Sequence, residues 1–117
     1  MFVVDYYKLP NGEKPVEKFI EGLDEKMRSK ALSSIDILAI YGNAIRKPHS
    51  KALGKGLFEL RIKFANDITR IFYFFIVDNK IILTNGFIKK SLKTPPNEIA
   101  LARKYKADFE RRYEENE

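Results

Sequence analysis

Between Leu57 and Ile88 the chain reads LFELRIKFANDITRIFYFFIVDNKIILTNGFI, three short stretches dense in aromatic and β-branched residues and broken by two polar turn signals. Such residues suit a pleated, partly buried surface, and the spacing predicts three consecutive strands: Leu57 to Phe64, Thr69 to Val77 and Lys80 to Ile88. Asp78-Asn79 is a plausible two-residue hairpin turn between the last two. Between the first two, either Ala65-Asn66 or Asn66-Asp67 can form the tight turn.

Two-residue turns decide which side chains share a sheet face, because opposed residues point the same way and the side-chain period is two. Closure on Asp78-Asn79 pairs Val77 with Lys80, and hence Arg70 with Phe87 and Phe72 with Asn85. Closure of the first hairpin on either candidate turn places Glu59, Arg61 and Lys63 on the face of Arg70. One face then carries Leu60, Ile62, Phe64, Ile71, Tyr73, Phe75, Ile82 and Ile88 and is the expected core face. The other holds Phe72, Phe74, Ile76, Ile81 and Leu83 toward one end. Toward the other end it gathers Glu59, Arg61, Lys63, Arg70, Asn85, Phe87 and Lys89, cations beside aromatic rings.

Upstream, Phe2 to Tyr7 reads as a strand ending at a Pro10-Asn11-Gly12 turn. Pro15 suits the first position of a helix carrying Val16, Phe19, Ile20 and Leu23. Asp24 caps a second helix, with Met27, Ala31, Ile35, Leu38 and Ala39 along one stripe until Gly42. Residues 43 to 56 read as a loop. Thr94 is placed to cap a last helix starting at Pro95, with Ile99, Ala102, Tyr105, Phe109 and Tyr113 on one side. The expected order is β-α-α-β-β-β-α, an α+β fold with an antiparallel sheet and helices packed on it. No repeat or linker divides the chain, so residues 1–117 are expected to form one domain.

Charge is unevenly spread. Residues 46 to 93 hold eleven basic and three acidic side chains, net +8, whereas the segments on either side are each net −1. A positive face for a polyanion requires this distribution. With no Cys, thiolate zinc sites, Fe–S clusters, cysteine nucleophiles and disulfides are excluded. No signal-peptide pattern opens the chain and no apolar run reaches the roughly 18 residues of a membrane span. A soluble, cytoplasmic protein without membrane contact is expected.

Two pieces together resemble the phage-derived, HigB-like branch of the RelE/HigB toxins of bacterial toxin-antitoxin systems. One is Leu57-Phe58-Glu59-Leu60-Arg61 with Arg70-Ile71-Phe72-Tyr73; the other is Gly86-Phe87-Ile88-Lys89-Lys90 leading to Lys93-Thr94-Pro95. The likeness covers roughly residues 45 to 105. It implies a RelE-like fold and a ribosome-dependent mRNA endoribonuclease acting on mRNA in the ribosomal A site. It also implies a small helix-turn-helix antitoxin, HigA-like, through which the toxin meets operator DNA. Carried over by position, Arg61, Arg70 and Lys90 are the catalytic candidates. Members of the family also use a tyrosine, histidine or acidic residue near the C-terminal end, and residues 87 to 97 contain none.

The implied reaction is attack of a ribose 2′-hydroxyl on the adjacent phosphate, leaving a 2′,3′-cyclic phosphate and a 5′-hydroxyl, with no metal and no cofactor. It needs a base for the nucleophile, cations for the phosphorane and an acid for the leaving oxygen. Arg61 and Arg70 suit the second task, since guanidinium stays charged and grips phosphate bidentately. Lys90 is read as general acid or charge stabiliser and Glu59 as a possible base. Lys51, Lys63, Lys89 and Lys93 are expected to bind RNA, and Phe87 to stack on a base. His49 stands alone in a Pro-containing loop and reads as a surface residue. Arg70→Ala is expected to leave folding intact and abolish toxicity. Competing readings are a non-catalytic RNA- or ribosome-binding module on the same face and a gyrase-inhibiting toxin of the same architecture.

Overall fold

The computed structural model describes residues 1–89 and 95–115. Its elements run β1 (Val3–Tyr6), α1 (Pro15–Glu21), α2 (Glu25–Tyr41), a 3₁₀ turn (Gly42–Ala44), β2 (Ser50–Gly54), β3 (Leu57–Phe64), β4 (Asp67–Ile76), β5 (Lys80–Lys89) and α3 (Pro96–Glu115). The class is α+β, with five strands in the order β1-β5-β4-β3-β2.

Local chemistry explains the helix boundaries. Pro15 opens α1 at a position whose N–H would have no partner. Asp24 caps α2 by accepting from the Met27 N–H at 2.9 Å. Gly42 ends α2 at φ +50, and a Cβ there would fall 2.0 Å from the Phe2 ring.

Helices cover both faces of the sheet. On one, Val16, Ile20, Leu23, Met27, Ala31, Ile35 and Leu38 of the α1–α2 region pack on Leu60, Ile62, Ile71, Tyr73, Ile81 and Leu83. On the other, Ala102, Ile99, Tyr105 and Phe109 of α3 lie over Leu57, Phe72, Phe74 and Ile82. The middle strand β4 is therefore buried on both sides from Thr69 to Phe74, and from Ile71 to Ile76 its sequence is an unbroken run of apolar and aromatic residues.

Four expectations change. The sheet is mixed rather than antiparallel, because β1 pairs parallel with β5. The 43–56 segment contains the edge strand β2, paired with β3 across a bulge, which its Gly and polar residues disguised. The last hairpin closes on three residues, with Ile76 opposite Lys80, so Ile81 and Leu83 face α1–α2 and Ile82 faces α3. Phe64 and Ile88, assigned to the core, are 36% and 44% exposed. The first hairpin closes on Ala65-Asn66, with Phe64 opposite Asp67, one of the two turns expected.

The three-residue turn would have shifted every later pair, had β5 not inserted a bulge. Tyr73 pairs with Leu83 but Ile71 with Gly86, so Thr84 and Asn85 together oppose Phe72. Beyond the bulge the expected pairing of Arg70 with Phe87 holds. Thr94, read as a cap, lies outside the described residues, and α3 begins one residue later than expected, at Pro96. Among the described residues no helix is long and apolar enough to cross a membrane.

Candidate functional site

Four neighbouring strands deliver cations to one end of the α3 face: Lys51 from β2, Arg61 from β3, Arg70 from β4 and Lys89 from β5. Cross-strand register accounts for this, since Lys51 sits opposite Glu59, Arg61 opposite Arg70, and Arg70 opposite Phe87. Glu59 is the centre. It is fully buried, and its Oε2 accepts from Arg70 Nη1 at 2.5 Å and from Arg61 Nε at 3.1 Å. Such charge-assisted bonds order both guanidiniums on one carboxylate.

The two arginines differ in access. The Arg61 side chain is 26% exposed, whereas that of Arg70 is 4% exposed. Arg70 Nε is buried with no hydrogen-bond partner among the described residues, a donor that folding leaves unused. Removing Arg70 would strip the buried Glu59 carboxylate of its closest cation, so Arg70→Ala is a stability variant as well as a site variant and corrects the expectation of intact folding.

Lys89 is also buried. Burial lowers the pKa of its ammonium, and the Arg70 charge pushes the same way, against the opposing pull of Glu59; Arg61 and Lys51 add further lowering. The structure thus brings Glu59, Arg61, Arg70, Lys89 and Lys51 together. Lys63, two residues beyond Arg61 on β3 and in the same cross-strand row as Ile68 and Lys89, is exposed. Phe87 stacks on Phe72 with centroids 5.8 Å apart and packs under α3, half-buried, which makes it part of the sheet–helix packing. Lys90 and Lys93 lie outside the described residues.

The bulge ties the site to α3. Thr84 Oγ1 donates to Asn85 Oδ1 at 2.8 Å, and Asn85 Nδ2 donates to the Glu98 carbonyl at 3.3 Å. Arg103 donates to the carbonyls of Leu53 and Gly54 at 2.9 and 3.2 Å, pinning the β2–β3 turn. His49 is exposed, as expected, yet its carbonyl accepts from the Arg61 N–H at 2.8 Å and it lines a small cavity of about 90 Å³ with Arg61, Leu60 and Ile45. That proximity is not legible in the sequence, because the polar, Gly-containing 43–56 segment reads as loop.

A small α+β domain whose sheet turns cations from four adjacent strands toward one carboxylate is the class of protein that fold and site define. Residues 18–107 match the family model described as Phage derived protein Gp49-like, and the chain belongs to this family. The family is known as one of RelE-like toxins of toxin-antitoxin systems. No curated protein is a match.

Proposed function

We propose that the protein is the toxin of a HigB-like toxin-antitoxin pair and cleaves mRNA on the ribosome by 2′-hydroxyl attack. The observation that carries this reading is the convergence of Lys51, Arg61, Arg70 and Lys89 around Glu59, in a chain of a RelE-like toxin family. Arg61 supplies the exposed guanidinium for the scissile phosphate, and Arg70 adds charge and an unused N–H from beneath. In the reaction the 2′-oxygen forms the new P–O bond, its proton passes to a base, the P–O5′ bond breaks and the 5′-oxygen takes a proton. Lys90 keeps its proposed role as acid or charge stabiliser. Lys89, with its lowered pKa, is a second proton donor for the leaving oxygen. Glu59, engaged by both arginines, is better suited to orienting them than to accepting a proton. The proposed partner is a HigA-like helix-turn-helix antitoxin that relieves toxicity and carries the pair to operator DNA.

The test is induction from a tight promoter, with and without the neighbouring open reading frame, followed by mapping of new RNA 5′ ends. In-frame cuts in translated mRNA that Arg61→Ala and the neighbour's product both remove support the reading. Soluble protein with no new ends and normal growth overturns it. A non-catalytic RNA-binding module is the second reading, favoured by the burial of Glu59 and Arg70; salt-dependent binding without new ends would identify it.

A further inference from the structure

A cavity of about 500 Å³ opens on the opposite face of the sheet from the Glu59 cluster, between the turn that follows α2 and strands β2 to β4. Its floor is aromatic. Phe58 stacks on Tyr73 with centroids 5.5 Å apart and rings 20° from parallel, and Phe75 meets both edge-on at 5.4 and 5.7 Å. Ser50 Oγ and the Tyr73 hydroxyl share a hydrogen bond of 2.5 Å that fixes this floor from below. Tyr73 is buried, but Phe58 and Phe75 are only half-buried and present ring surface to the cavity.

The rim is cationic. Arg46 and Lys47 are exposed around the opening, and among the described residues no acidic residue lines it. Arg46 Nη1 donates to the carbonyls of Asn43 and Ile45, which holds its guanidinium at the mouth. Flat ring surface under exposed cations suits a planar base carrying phosphates, through stacking and charge-assisted contacts. An unpaired base is required, because a duplex hides its faces.

Lys51 joins the two sites. It lies on β2, the outermost strand, lines the cavity, and is close enough to the cluster to depress the Lys89 pKa. A strand leaving the cluster therefore has a cation at the sheet edge to follow.

We propose that this cavity receives an unpaired nucleobase of single-stranded RNA, stacked on Phe58 and Phe75, with its flanking phosphates on Arg46 and Lys47 and with Lys51 of the edge strand leading the chain from there toward the Glu59 cluster. An RNA strand whose phosphate meets Arg61 is thereby anchored around the β2 edge, on the face away from the chemistry. The proposal rests on the RNA-cleaving reading for its biological setting, but its test does not depend on cleavage.

The probe is a short single-stranded oligonucleotide with a 2′-O-methyl backbone, which offers no 2′-hydroxyl to react, carrying one 2-aminopurine whose fluorescence is quenched by stacking. Titration with the full-length protein is expected to give saturable quenching. Phe58→Leu should abolish most of it and weaken binding about tenfold. The Arg46→Ala/Lys47→Ala double variant, altered only at exposed side chains, should lower the salt slope of log affinity by roughly 1.4, two single-strand phosphates' worth. Quenching and salt slope that are both unchanged in these variants, each checked for native circular dichroism, overturn the inference. So does a free 2-aminopurine nucleotide that saturates the cavity at lower concentration than the oligonucleotide, which would make it a small-molecule site. Phe58-dependent quenching without any RNA cleavage in cells leaves the subsite standing and removes the endoribonuclease reading; cleavage without such quenching does the reverse.

Discussion

Gly86 of β5 lies directly beneath the ring of Phe19, and a Cβ built on Gly86 would stand 2.7 Å from Phe19 Cδ2 and 3.0 Å from the Arg70 carbonyl oxygen. The glycine leaves the depression into which α1 settles on the sheet, between Phe87 and the bulge residues Thr84 and Asn85 that it directly follows. Close helix packing and the register of Arg70 thus depend on the same short stretch of β5.

Gly86→Ala should therefore destabilise the fold by about 1–3 kcal/mol, the usual cost of overpacking. Phe19→Leu in the same chain should recover part of the loss by vacating the ring. Urea unfolding of the two single variants and the double variant checks this, with non-additivity as the expected signature.

Arg70→Ala should cost about 3–5 kcal/mol, because it takes from the buried Glu59 carboxylate the guanidinium that donates to it at 2.5 Å. Adding Glu59→Gln should restore a good part of that stability without restoring any site function. Chemical denaturation of the pair, run as a double-mutant cycle, separates the ion-pair contribution from the packing loss.

Arg61→Ala should change stability by about 1 kcal/mol or less, since its ion pair is partly exposed. RNA cleavage, in contrast, should fall by about a hundredfold or more if Arg61 meets the scissile phosphate. Mapped 5′ ends and the melting temperature of the same preparation give the two readouts.

Stability should also report the latch between α3 and the segment after β1. The Tyr7 hydroxyl donates to Asp108 at 2.6 Å, and Arg112 donates to the Lys8 carbonyl at 2.6 Å. Burial and the Asp108 carboxylate push the Tyr7 phenol up to about 12. A raised folded pKa gives a contribution that is whole below the unfolded value near 10 and lost as pH climbs toward 12. The Asp108 carboxyl is lowered, chiefly by the hydrogen bond from Tyr7, so its contribution is present above the ordinary carboxylate range and lost as pH falls through the folded value. Tyr7→Phe should remove the alkaline loss and weaken the acid one, as followed by phenolate absorbance and unfolding across pH.

Most of the cation cluster is legible in the sequence. Strict alternation places Glu59, Arg61 and Lys63 on one face, and the Ala65-Asn66 turn carries that face across to Arg70. The family resemblance and the basic central block pointed to the same residues. The N-terminal helices were equally readable, since a proline, an aspartate cap and a terminal glycine mark them locally. Each of these signals acts over a few residues, within reach of backbone sterics and one or two hydrogen bonds.

Long-range pairing supplied the rest. Nothing in Val3–Tyr6 announces that it will lie parallel to β5, and the polar, Gly-containing Ser50–Gly54 becomes a strand only because β3 offers it an edge. The register of β5 is settled by a turn one residue too long and a bulge that cancels it, which alternation alone cannot separate. Burial of Arg70 and Glu59 follows from the packed sheet, not from their charge, and the aromatic cavity exists because β2 and the turn after α2 meet three rings from β3 and β4. Local sequence chose the elements and the faces, while tertiary packing chose which charges would be desolvated and which rings left open.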